Sequence, residues 1–244
     1  FGSDRAVVLD MERLVLPGDD ADQADNADRE QIDPRTLPPI TLKAGEFALG
    51  NRYLGAMETQ LGRTDQGLVA ESFVARDQSF EIVGNARWVA DATDPSGYSS
   101  HLMATLTSTD VKTTMQRLNY APGIVSDDMT LLFDLSWAGG PRTDVFETLD
   151  GDVQVRIGAG QLDEIEPGAG RLFGLMSIVA LPRRLSLDFT DVFDKGLGFD
   201  KLDGTFRIVD GEAYTCDLSL EGPAVNIAII GRASLTEREY EQAA

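Results

Sequence analysis

The chain has 244 residues, 42 % hydrophobic and 25 % charged, the balance of a folded chain, with room for one large β domain or two small ones. Its 21 Lys and Arg against 41 Asp and Glu give a net charge of −20. That sign argues against nucleic acid as a partner and against electrostatic adhesion to an anionic membrane, both of which need clustered basic side chains. The lone Cys216 excludes an internal disulfide and a Cys-based zinc site.

The chain opens on Phe1-Gly2-Ser3-Asp4, with neither an initiator Met nor a signal peptide. It therefore reads as an internal piece of a longer protein whose anchor or export signal lies elsewhere. Residues 1–18 read as an edge-strand region. Residues 19–31 are acidic and alanine-rich, without large apolar side chains before Ile32, and predict a solvated, mobile loop. Asp22, Asp25 and Asp28 invite calcium, but no glycine stands at the sharp turn and no glutamate closes an EF-hand register. Asp33-Pro34 and Leu37-Pro38-Pro39 restart the ordered chain.

From there to about residue 165 the apolar residues alternate with polar ones, the period of half-buried strands. Ile82, Ala86 and Trp88 share one face, as do Leu102, Ala104 and Leu106. Leu131, Phe133, Leu135 and Trp137 oppose Asp134 and Ser136, and Val153, Val155 and Ile157 oppose Gln154 and Arg156. One interruption reads as a short helix near 109–119, capped by Ser108 or Thr109, with Val111, Met115 and Leu118 on one side and Pro122-Gly123 as its stop. In the remaining stretch, 166–244, the run from Gly170 to Leu181 is apolar nearly all round before Pro182, which predicts a helix buried in the core or against a partner or lipid. Its apolar core is about ten residues, half a bilayer span. Strand alternation then resumes at Leu185, Leu187 and Phe189, and recurs at Phe206 and Ile208, at Leu218 and Leu220, and at Val225, Ile227 and Ile229. Turn signals punctuate the strands at Asp65-Gln66-Gly67, Asp94-Pro95-Ser96-Gly97, Asp150-Gly151, Asp210-Gly211 and Glu221-Gly222-Pro223. The predicted fold is mainly β, a meander of antiparallel hairpins with one or two short helices.

Catalytic constellations are wanting. His101 is the only histidine, beside Ser99 and Ser100 at the start of a predicted strand, and no G-x-S-x-G elbow occurs. A metal site on one histidine would need carboxylates that the sequence cannot place. Gly168-Ala169-Gly170 with Gly174 misses the dinucleotide-binding spacing and follows Glu164 and Glu166, which would repel phosphate. Asp163, Glu164 and Glu166 read as a wet turn rather than paired acid–base carboxylates. Cys216, on the parity of Leu218 and Leu220, reads as a buried, inert thiol. No enzyme, cofactor or metal centre is expected.

The segment Leu181-Pro182-Arg183-Arg184-Leu185-Ser186-Leu187-Asp188-Phe189 carries a family likeness. So do Gly170-Arg171-Leu172-Phe173-Gly174-Leu175-Met176-Ser177 before it and Asp191-Val192-Phe193, Gly198-Phe199-Asp200, Gly204-Thr205-Phe206-Arg207-Ile208, Thr215, Gly222-Pro223-Ala224 and Ile229-Ile230-Gly231-Arg232 after it. With looser matches at Asp33-Pro34-Arg35, Leu37-Pro38, Leu118-Asn119-Tyr120, Gly123 and Phe133-Asp134-Leu135-Ser136-Trp137, the chain resembles the C-terminal region of the YhdP family, AsmA-like envelope proteins of Gram-negative bacteria. Asn119 stands where the likeness leads one to expect glycine, and residues 19–30 resemble an insertion.

The resemblance implies a long, curved antiparallel sheet forming a repeating β-groove, apolar inside and wet outside. It implies a periplasmic segment of an inner-membrane-anchored protein that moves phospholipid toward the outer membrane, with both membranes engaged by regions beyond this chain. The residue pattern suits that role. A diacyl lipid exposes about thirty methylenes, and at about 0.8 kcal/mol each their passage through water costs on the order of 20 kcal/mol. A wall of Leu, Ile, Val and Phe removes that barrier and needs no specific polar contact. The expected acyl-contacting residues are Leu185, Leu187, Phe189, Phe206, Ile208, Leu218, Leu220, Val225, Ile227 and Ile229. The alternative is a closed structural or interaction β-sandwich without lipid, whose inward residues would alternate in the same way.

Overall fold

The dipeptide Asp210-Gly211 shows how this sequence turns corners. Both residues have positive φ, 49° and 75°, as a two-residue hairpin turn of the twist-compatible kind requires. Strands Lys201–Val209 and Glu212–Glu221 leave the turn with Val209 opposite Glu212. At Asp94-Pro95-Ser96-Gly97 the Asp94 carboxylate accepts from the Ser96 N–H at 2.7 Å, and Gly97 takes φ 77°. Side-chain support and glycine freedom close that turn together.

The computed structural model describes residues 6–16, 32–141, 145–162, 196–235 and 240–243. In chain order the strands are β1 (Val7–Leu16), β2 (Ile40–Leu49), β3 (Arg52–Arg63), β4 (Gly67–Arg76), β5 (Phe80–Ala90) and β6 (Tyr98–Ser108). Helix α1 (Val111–Arg117) follows, then β7 (Ile124–Ser126), β8 (Met129–Ala138), β9 (Asp150–Ile157), β10 (Gly160–Leu162), β11 (Leu197–Phe199), β12 (Lys201–Val209), β13 (Glu212–Glu221), β14 (Asn226–Ser234) and β15 (Tyr240–Ala243). Twelve of these strands form one open sheet in the order β1-β2-β3-β4-β5-β6-β8-β9-β12-β13-β14-β15. From β2 onward every pairing in it is antiparallel. Within this sheet, among the described residues, β1 alone breaks the antiparallel pattern, lying parallel to β2. At about 4.8 Å per strand the sheet is roughly 50 Å along its stacking direction.

Pairing is uninterrupted through the middle and broken toward the flanks. β5 and β6 match over eleven consecutive pairs, Phe80↔Ser108 to Ala90↔Tyr98, and β6–β8 and β8–β9 continue without a shift. Register shifts occur in β2–β3, β3–β4 and β4–β5 on one side, and in β12–β13 and β13–β14 on the other. Such bulges bend a sheet and increase its twist, consistent with a curved groove.

Two insertions leave the meander. Between β6 and β8, α1 packs Val111 and Thr114 with no exposed surface against the ends of β5 and β6. Its cap is Asp110, not Ser108 or Thr109: the Asp110 carboxylate accepts from the Thr113 N–H at 3.0 Å and from the Thr113 hydroxyl at 2.6 Å. Ser108 is instead buried with its Oγ 2.8 Å from Thr114 Oγ1. The helix ends before Pro122, because Asn119 takes φ 61° and the Tyr120 N–H returns to the Met115 carbonyl. The second departure holds β10 and β11, which join β7 in a separate three-stranded sheet ordered β11-β10-β7.

Asp150-Gly151, expected as a turn, opens β9 instead. A Cβ on Gly151 would lie 2.0 Å from the Asp134 carbonyl oxygen, so this glycine serves a close approach of strands. The predicted helix of 170–181 and the acidic loop of 19–31 lie outside the described residues.

Candidate functional site: an apolar trough

Register decides which side chains share a face. From Met129, Leu131, Phe133, Leu135 and Trp137 on β8, the pairings lead to Ser108, Leu106, Ala104, Leu102 and Ser100 on β6, and to Ile157, Val155, Val153 and Gly151 on β9. On one side they continue to Phe80, Ile82, Gly84, Ala86 and Trp88 of β5 and then to Ala75, Phe73, Ala70 and Leu68 of β4. Met57 and Leu61 of β3, Ile40, Leu42 and Ala44 of β2, and Val7, Leu9 and Met11 of β1 complete that wing. On the other side come Leu202, Phe206 and Ile208 of β12, Ala213, Leu218 and Leu220 of β13, and Ile227 and Ile229 of β14. The opposite face of the same strands carries Asp134, Gln154, Arg156, Asp203, Arg207 and Asn226. One continuous apolar face thus crosses the sheet from β1 to β14.

Cover over this face is uneven. Two clusters close the strand ends. The first joins Phe80, Leu106, Met129, Ile157, Leu202 and Leu220 to Val111 of α1 and to Ile124, Leu162, Leu197 and Phe199 of the small sheet. The second, at the opposite strand ends, joins Leu149, Ile208 and Ala213 with Leu135, Trp137, Phe146 and Leu235 around them. Between them Leu102, Leu131, Phe133, Val153, Val155 and Phe206 are only half-buried, as are Leu42, Met57 and Leu61 further along. These side chains are the less covered stretch of the apolar face, packed at its edges against the two clusters.

Of the ten expected acyl-contacting residues, Leu185, Leu187 and Phe189 lie outside the described residues. The six on β12–β14, Phe206, Ile208, Leu218, Leu220, Ile227 and Ile229, share the apolar face, and Val225 stands just before β14 on the same parity. Phe206, Val225 and Ile227 are half-buried, whereas Ile208, Leu218, Leu220 and Ile229 are sealed at 8 % exposure or less. The wing built by β2, β3 and β4 adds apolar residues that alternation in the sequence does not announce. There the bulges at Ala44/Phe47, Thr59/Leu61 and Ala70/Phe73 break the alternation that would have revealed it.

The other singled-out side chains fall elsewhere. Cys216 is exposed, not buried, because the register shift between Thr215 and Leu218 reverses its parity. His101 sits on the polar face with Nε2 2.8 Å from Asp134 Oδ1, while Ser100 lies on the apolar face and its hydroxyl donates to the Gly139 carbonyl at 2.8 Å. Adjacent residues of one strand point to opposite faces, so these two do not meet. Asp163, Glu164, Glu166 and the glycines of 168–174 lie outside the described residues. Among the described residues no group of three His, Cys, Asp or Glu side chains is placed to hold a metal ion, and no helix is long and apolar enough to cross a membrane.

Comparison with known proteins places this sheet. The family model described as YhdP protein matches residues 2–244. The chain belongs to the YhdP family. Over 216 residues it is 25 % identical to the intermembrane phospholipid transporter YhdP of Escherichia coli (strain K12), covering 88 % of this chain and 17 % of that relative. The chain thus spans well under a fifth of the relative's length. No solved structure matches the chain. Within the YhdP family likeness, the departure at Asn119 has a physical explanation. Its φ of 61° is a left-handed position, where glycine is at ease and Asn is among the few other residues tolerated.

Proposed function

We propose that this chain is a segment of a periplasm-spanning lipid transfer protein, and that its trough shields phospholipid acyl chains on their way between inner and outer membranes. The observation that carries this reading is the half-buried apolar floor running across strand after strand of one open sheet. Hydrocarbon in contact with such a floor avoids most of the water exposure that makes free transfer slow, at about 0.8 kcal/mol per methylene. The likeness to an intermembrane phospholipid transporter supports phospholipid as the cargo. Membrane attachment is assigned to regions outside this chain, which would place the segment in the periplasm as part of an inner-membrane-anchored protein. The work is done by surface rather than by bond-making, and it requires no cofactor, metal or catalytic group.

The lipid-facing wall comprises the half-buried residues of that parity on β5–β12, Phe206 among the expected ones. Ile208, Leu218, Leu220 and Ile229 back it from the sealed clusters, with Val225 and Ile227 at their margin, and Leu185, Leu187 and Phe189 outside the described residues complete the expected set. Photo-crosslinkable residues at Phe133, Val155 and Phe206 should capture lipid, and the same residues at Gln154, Arg207 and Asn226 on the other face should not. Equal capture on both faces would reject the reading. A structural β-sandwich without cargo is the second reading, favoured at one end by the small sheet lying over β8–β13. Purified protein that carries no acyl chains by native mass spectrometry would favour it.

A further inference from the structure

We infer that the trough is blind at its C-terminal end: β13, β14 and the small sheet β11-β10-β7 form an end wall, and among the described residues Phe206 on β12 is the last mid-strand side chain of its floor that an acyl chain can reach. The end wall presupposes the groove proposed above, and the test below separates the two.

The small sheet makes the wall by its own alternation. Its pairings align Ile124, Leu162 and Leu197 in one row and Ser126, Gly160 and Phe199 in the next but one, all on one side. Ile124, Leu162, Leu197 and Phe199 are 8 % exposed or less and belong to the same cluster as Leu202, Leu218, Leu220 and Ile229. The intervening Val125 and Gly198 are exposed. Two sheets therefore meet face to face here, which is sandwich packing confined to one corner of an otherwise open sheet. Within the small sheet Gly160 makes room for its neighbours: a Cβ on it would meet the Val125 carbonyl oxygen and lie 2.9 Å from the Phe199 ring.

The space left in that corner is small. The cavity lined by Leu162, Leu202, Leu218, Leu220, Ile227 and Ile229 has a volume of about 10 Å³. That is the threshold for one water molecule, too little for a hydrocarbon tail. On β13 even the mid-strand position is closed, with Thr215 6 % exposed, whereas its counterparts on β8, β9 and β12 are Phe133, Val153 and Phe206, all half-buried. A lipid travelling along the floor toward β14 must therefore leave it sideways, over β8, β9 and β12, between the two strand-end clusters.

The test replaces leucine throughout the full-length protein with its diazirine isostere, which preserves shape in the core, and illuminates it with vesicles of phosphatidylethanolamine. Lipid adducts are then mapped by peptide mass spectrometry. Adducts at Leu102, Leu131 and Leu135, with loss of labelling at Leu202, Leu218 and Leu220, are the expected result. Adducts in both groups would overturn the end wall and leave the groove standing. Adducts in neither would overturn the groove itself and the end wall with it.

Discussion

The β1–β6 wing and the β12–β14 corner begin from the same sequence rhythm and end differently. On β2 and β3, Leu42, Met57 and Leu61 stay half-buried; on β12 and β13, Leu202, Leu218 and Leu220 are sealed at 3 % exposure or less. The strands themselves do not account for the contrast, since both regions carry bulges and both place mainly apolar residues on the same face. What differs is the chain inserted between strands. The connections from β2 to β6 add no strand or helix of their own, whereas the stretch after β9 contributes Leu162, Leu197 and Phe199 as a roof. A half-covered face and a closed sandwich are thus one architecture without and with an insertion.

Truncation should expose this contrast most strongly. Leu220→Ala should lower the unfolding free energy by about 3 kcal/mol, the usual cost of a cavity in a packed core. Leu42→Ala should cost only about 1 kcal/mol, because much of its surface already meets water. Equal losses in urea titration would erase the distinction between wing and corner. The panel that joins them is probed by Gly151→Ala, where φ is 137° and a Cβ would strike the Asp134 carbonyl. A loss of about 2 kcal/mol is expected from that strain.

Smaller effects test the wing's own cover. Removing the cap of α1 by Asp110→Ala should cost about 1 kcal/mol. The Thr113 hydroxyl and N–H hold the Asp110 carboxyl below the usual carboxylate range. A depressed folded value stabilises above the unfolded pKa and is lost as pH falls through the folded one. The gap between wild type and variant should therefore be full above about pH 5 and shrink below about pH 4. Smallest of all, Cys216 should react with a thiol reagent in the folded protein without any change in melting temperature. Protection of this thiol until unfolding would return it to the trough face.

Much of the sheet was legible because its central strands obey strict alternation. Leu131 to Trp137 and Val153 to Ile157 could be assigned to one face by counting, and register then confirmed it. Counting fails where a bulge adds a residue. Cys216 was placed on the wrong side for that reason, and the wing of Met57, Leu61 and Phe73 was passed over. The parallel pairing of β1 leaves no local trace, because its partner lies beyond a long connection. Closure of the corner depends on contacts between Leu162 and Leu220, 58 positions apart in sequence. Periodicity says which residues turn away from water, but not whether another layer will meet them.

The unbroken ladder from β5 through β6 and β8 to β9 has a consequence for how the molecule breathes. The strands β6 and β8 are hydrogen-bonded to a neighbour along both edges, with no bulge at which opening can start. Hydrogen–deuterium exchange should therefore be slowest in this panel and faster at the bulged flanks of β2–β4 and β13–β14. The flanks can then flex as hinged leaves about a stiff spine.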